Sequence, residues 1–127
     1  TMGQYLPAEF AAAVGILERA MGNPGPPRDV EIMGGFQFWP HVTFLSEYGL
    51  NEPDVALRAM KEFTKHCSCE FAIRFFLIEH RERTMKHVAA WVVDEDWRVR
   101  RLASEGTRPR LPWGQQLKDF VADPSPV

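Results

Sequence analysis

The sequence predicts an all-α fold, built from short antiparallel helix pairs stacked on one another. Three observations carry this. Apolar residues recur at three- and four-residue steps along most of the chain, no segment sustains strand-type alternation, and Pro, Gly and Asn punctuate at helix-length intervals. The candidate pairs 53–66/70–80 and 84–93/97–105 are similar in size and joined by short turns, which fits a repeat of about 30 residues. An ordinary helical bundle is the competing architecture. The 127 residues suit one domain, 1–127, and a composition 45% hydrophobic and 12% aromatic can fill a core.

The elements follow in order. From Pro7 to Met21, Phe10, Val14, Leu17 and Met21 share a helical face, with Pro7 suited to the first turn and Gly22 to the stop. Asn23-Pro24-Gly25-Pro26-Pro27 reads as a loop, and Gly34-Gly35 as a turn before Phe36-Gln37-Phe38-Trp39-Pro40 leads into a helix ending near Tyr48. Pro53 opens the next helix, with Asp54 at its positive end. Glu70 to His80 is a very apolar helix, and Arg81-Glu82-Arg83 a polar turn. Thr84 to Val93 follows, with Met85, Val88, Ala89 and Val92 facing inward. Asp94-Glu95-Asp96 favours a helix start at Trp97, and Gly106, Pro109 and Pro112 break that helix. Gln115 to Val121 is a last short helix. Trp39, Trp91 and Trp97 read most economically as core residues.

No apolar run is long enough to cross a bilayer, and the start lacks the basic-then-apolar pattern of a secretory signal, so the expected compartment is the cytoplasm. Thr1-Met2 reads as a remnant ahead of the natural start. Cys67 and Cys69, one residue apart, suit neither a loop-closing disulfide nor a C-x-x-C redox pair. His66 and His80 lie nearby in sequence, but the strong zinc spacings are absent, so reduced, mostly buried thiols and no metal are expected.

A net charge of −2 hides an uneven distribution. Between Trp97 and Trp113 stand Arg98, Arg100, Arg101, Arg108 and Arg110 against the single acid Glu105. A basic patch on an acidic body suits phosphate contact, and a solvated charge-rich helix gives the same pattern. Arg101 and Glu105 lie one helical turn apart, and Pro109 and Pro112 limit the directions of Arg108 and Arg110. Such a set can hold phosphates around a carboxylate, or it can simply stabilise a helix end. Glu70 poses the same choice: a helix-dipole partner that pairs with Arg74, or an acid in a site.

Three stretches decide between these readings: Glu62-Phe63-Thr64-Lys65, Glu70-Phe71-Ala72-Ile73-Arg74, and the run Val99-Arg100-Arg101-Leu102-Ala103-Ser104-Glu105-Gly106-Thr107-Arg108-Pro109-Arg110-Leu111-Pro112-Trp113. Together with Gly34-Gly35-Phe36 and Trp39-Pro40, they resemble the AlkC-type DNA alkylation repair family, HEAT-like-repeat DNA glycosylases related to the AlkD type. The resemblance implies a HEAT-like α-solenoid and excision of cationic N3-alkylated bases, 3-methyladenine and 3-methylcytosine, from alkylated double-stranded DNA. It implies no metal or organic cofactor, and a duplex that is bent rather than a base taken into a deep pocket.

Carried over by residue, the resemblance makes Glu105 the catalytic candidate and Glu70 a second acid near the lesion. Arg101, Arg108 and Trp113 match DNA-contacting positions, and Arg110 and Arg74 join them as DNA-binding candidates. Phe75 departs from the family, which usually has proline there, and a changed helix start or kink is the expected effect. In the family, further repeats with another basic segment and a catalytic Asp follow Asp-Pro-Ser-Pro-Val. The chain is therefore expected to be the N-terminal part of a longer glycosylase, holding half of the DNA cradle. A non-catalytic helical-repeat module that binds DNA or protein is the alternative.

Overall fold

The computed structural model describes residues 1–25 and 35–127. Among these residues there are seven α-helices and no strand: α1 Phe10–Met21, α2 Trp39–Tyr48, α3 Pro53–Phe63, α4 Ala72–Glu79, α5 Arg81–Trp91, α6 Trp97–Gly106 and α7 Lys118–Ala122. Single 3₁₀ turns, Met2–Tyr5 and Phe36–Phe38, precede α1 and α2. Helices α1, α3 and α5 pack in sequence as one layer, and α2 packs on α4 in a second. Helix α6 lies on α5 and reaches α4 where Gly106 meets Ile73. The chain is thus a stack of pairs, α1–α2, α3–α4 and α5–α6, and the last two are the pairs that the periodicity predicts. Leu57, Met60 and Phe63 from the odd layer close on Leu45, Ile73 and Phe76 from the even layer, all nearly or fully buried. None of the described helices is long and apolar enough to cross a membrane.

Local chemistry moves several boundaries from their expected places. Helix α1 starts at Phe10 rather than Pro7, because the Glu9 carboxylate caps it by accepting the Ala12 N–H at 3.1 Å. Helix α4 starts at Ala72, which leaves Glu70 in the turn ahead of it. The expected turn at Arg81-Glu82-Arg83 is helical. His80 alone makes the corner, and the buried Thr84 hydroxyl lies 3.0 Å from the Phe76 carbonyl and 2.9 Å from that of His80. The inward face of α5 is Thr84, Val88 and Trp91, and Ala89 and Val92 are exposed and not inward. Trp91 is core as expected, Trp97 is half-buried, and Trp39 lies at the surface. Phe75 is an ordinary α4 residue, partly exposed. Part of the expected loop at 23–27 and of the turn at Gly34-Gly35 lies outside the described residues.

Gly106 sets how closely α6 approaches α4, since a Cβ there would sit 2.6 Å from Ile73 Cγ2. Gly106→Ala should therefore destabilise the fold by about 1–3 kcal/mol through overpacking. Urea unfolding should show a lower midpoint with an unchanged slope; an unchanged midpoint would mean that the approach has slack.

Candidate functional site

The Glu105 carboxylate stands on the last turn of α6, a helix that Asp96 starts by accepting the Arg98 N–H at 2.9 Å. One turn earlier, Arg101 places both Nε and Nη2 at 3.0 Å from Glu105 Oε2. This i,i+4 fork holds one carboxylate oxygen, and among the described residues no hydrogen bond engages the other. Glu70 reaches the same place from the turn before α4. Burial pushes its pKa above the ordinary carboxylate value, and both the Arg101 and Glu105 charges act on it. Its carboxylate is a hydrogen-bond partner of the Ser68 hydroxyl. Two acids and one arginine from two successive helix pairs thus share one cluster.

The five arginines of the basic stretch divide by task. Arg98 is folded inward: it pairs with Asp96 at 2.7 Å and donates to the Lys65 carbonyl at 2.9 Å. Arg100 donates to the Asp94 and Glu95 carbonyls at 2.7 and 2.9 Å. Arg101 is half-committed to Glu105. Arg108 and Arg110 are exposed, and no ion pair engages either side chain among the described residues. The sequence shows the patch, but only the fold shows which cations remain available.

Arg74 departs most from its expected place. It was expected at the DNA surface, yet it is 0% exposed. Its guanidinium donates to the carbonyls of Gly106 at 3.0 Å, Arg108 at 2.9 Å and Pro109 at 3.3 Å, and also to that of Gln115. It does not pair with Glu70. No ion pair among the described residues includes it, so peptide dipoles alone hold this buried cation. Arginine suits the task because its fork has five donors in fixed directions. The side chain therefore ties α4 to the segment that leaves α6, and that segment carries Arg108, Arg110 and Trp113.

Trp113 sits at the far end of that segment. Its side chain is 100% exposed and its φ is +59°, the only positive φ outside glycine in the described chain. The Gly114 N–H donates to the Leu111 carbonyl at 3.0 Å, closing a turn with Pro112 first and Trp113 second of its central residues. A Pro followed by a positive φ is the type II pattern, whose second position favours glycine. Tryptophan there costs about 1–2 kcal/mol. The Leu117 N–H donates to the Pro109 carbonyl at 3.0 Å and closes the segment around the turn.

Elsewhere the cysteines are chemically quiet. Burial and the nearby Glu70 push the Cys67 thiol up to about 11, and the fully buried Cys69 lies well above its ordinary value. Both are protonated at neutral pH. His80 Nε2 lies 2.6 Å from the Leu50 carbonyl, and the described residues hold no group of three or more His, Cys, Asp or Glu suited to a metal ion.

Two outcomes follow from this geometry. Arg74→Met should destabilise the protein by about 3 kcal/mol, since four carbonyls lose a charged donor. Arg74→Lys should recover only part of this, and amide exchange should speed up first across 107–117. A methionine variant as stable as the parent would remove Arg74 from this role. Glu70 carries a raised pKa, so its contribution to stability is full below the unfolded value and is lost as pH rises through the folded one. Glu70→Gln should therefore be more stable than the parent at pH 7, with the gap closing as pH falls through the carboxylate range; a pH-independent gap would contradict this.

Comparison with known proteins bears on all of these features. No family model matches the chain. The Bacillus subtilis protein YhaZ, itself uncharacterized, is 42% identical over 84 residues, 66% of this chain and 24% of its own length. Among solved structures, the Pseudomonas fluorescens alkylpurine DNA glycosylase AlkC, bound to DNA containing an abasic site analog, matches with a TM-score of 0.82 and 34% identity. The match covers 95% of this chain and 32% of that one. The chain thus spans a quarter to a third of the length of these relatives. Over 95% of its length the chain resembles an AlkC-type protein in both fold and sequence, and it spans about one third of that solved protein.

Proposed function

We propose that residues 1–127 form one HEAT-like helical-repeat domain, the N-terminal part of a DNA repair glycosylase. This glycosylase would remove cationic N3-alkylated bases such as 3-methyladenine and 3-methylcytosine from duplex DNA in the cytoplasm. The observation that carries this reading is the convergence of Glu70, Arg101 and Glu105 beside the exposed Arg108, Arg110 and Trp113. The DNA-bound state of the solved relative supports it.

The chemistry asks little of the protein. An N3-alkylated base already carries positive charge, so breaking the C1′–N bond sends the electron pair to the base, which leaves neutral. Positive charge then grows on C1′ and O4′ of the sugar. A carboxylate facing that sugar stabilises the charge. Glu105 fills this role, with Arg101 fixing one oxygen and leaving the other to face the substrate. Water adds to C1′ and gives up a proton to a carboxylate base. Glu70, whose buried carboxylate holds a proton more tightly than an ordinary one, suits that step. Arg108 and Arg110 hold phosphates beside the lesion, and Trp113 projects toward the duplex. No step needs a metal or an organic cofactor.

Base release from a 3-methyladenine duplex by the full-length protein tests the reading. Glu105→Gln should lower the release rate at least about 100-fold while DNA binding is retained. Affinity should fall with rising salt, and the slope should shrink by about 1.8 when Arg108 and Arg110 are both replaced by alanine. Binding with no release by the parent would instead favour a non-catalytic DNA-binding module. A flat salt response would count against the arginines as phosphate contacts.

A further inference from the structure

Beside the acid–arginine cluster lies a row of aromatic rings with no assigned role. Phe36 and Trp39 stack at 5.9 Å with planes 24° apart, and Trp39 meets Phe71 at 5.6 Å. Phe36 is 65% exposed and Trp39 38%. Their outward direction is built into the backbone. Gly35 packs so closely on the His66 carbonyl that a Cβ there would clash with its oxygen. Phe38 turns to meet the rings of His41 and His66 edge-on, at 5.5 and 5.3 Å. With Phe38 taken by that contact, Phe36 and Trp39, three residues apart, fall together on another face. Two large rings are thus kept at the surface by a well-packed anchor.

The row runs directly into the candidate site. Phe71 follows Glu70 in the turn before α4, and Glu70 feels the charges of Arg101 and Glu105 on α6. Start of α2, start of α4 and end of α6 therefore form one strip across three successive pairs, aromatic at one end and charged at the other. We propose that Phe36, Trp39 and Phe71 form a stacking subsite for an unstacked nucleobase next to the lesion. Flat rings with an open outer face suit the π-face of any base, and such stacking needs no sequence-specific hydrogen bond. Continuity with the acid–arginine strip points to nucleic acid as the occupant. The proposal rests on the DNA-repair reading above and extends its footprint to α2.

The test uses the full-length protein and a duplex holding an abasic-site analogue with 2-aminopurine beside it. The parent should quench 2-aminopurine emission on binding. Trp39→Ala and Phe36→Ala should each weaken binding about 10-fold and remove much of the quenching, while Trp39→Phe restores most of both. Phe36 is open enough that its loss leaves the fold intact, which helical circular dichroism checks. The proposal is overturned if both alanine variants bind and quench like the parent while the Arg108/Arg110 double alanine variant loses affinity; the DNA-repair reading then stands. If the parent itself fails to bind this duplex, both fall.

Discussion

A single buried cation organises the functional end of this molecule. Burying a guanidinium without a carboxylate partner is unfavourable unless its donors are satisfied, and Arg74 satisfies them with backbone carbonyls from 106 to 115. The segment after α6 lacks regular structure between Thr107 and Leu117, and its peptide groups need partners. Arg74 supplies these from the neighbouring repeat. The packing of α4 against α6 and the shape of the exposed segment are thus one problem with one solution. Gly106 contributes twice, by letting Ile73 approach and by offering its carbonyl to the cation.

Electrostatics at the surface follow from this internal order. A run of arginines in sequence suggests one uniform patch, yet the fold sorts them into cations that hold the α5–α6 corner, one that orients a carboxylate, and two left to solvent. Asp94 and Asp96 draw part of the charge inward, and Lys61 joins them through its 2.7 Å contact with Asp94. The field that a phosphate would meet is therefore concentrated at one end of α6, close to the paired acids.

The all-helical class and the stacked pairs were legible because apolar spacing and Pro, Gly and Asp signals agree at most helix ends. Asp96 and Pro53 mark their helices as the sequence reading expects. The convergence of Glu70 with Arg101 and Glu105 was legible only through resemblance, since no local pattern links positions so far apart. Three features were hidden. The buried Thr84 hydroxyl bonds the Phe76 and His80 carbonyls at a corner where polar residues suggest a turn, so a threonine takes an inward position of α5. Arg74 looks like a surface residue because arginine is rarely fully buried, and its partners are backbone atoms, which carry no sequence signal. Trp39 looks like core because tryptophan usually is, and the contacts that leave it outside belong to Phe38 and Gly35.

Trp113 shows where folding and function pull apart. Its backbone favours glycine, and its ring gains nothing from burial because it has none. A chain shaped by stability alone would carry glycine at this corner. The residue present is the largest of the twenty and mostly apolar, held away from the body by proline and by carbonyls already committed to Arg74. Stability is given up at one exposed point, so whatever repays it must come from outside the chain.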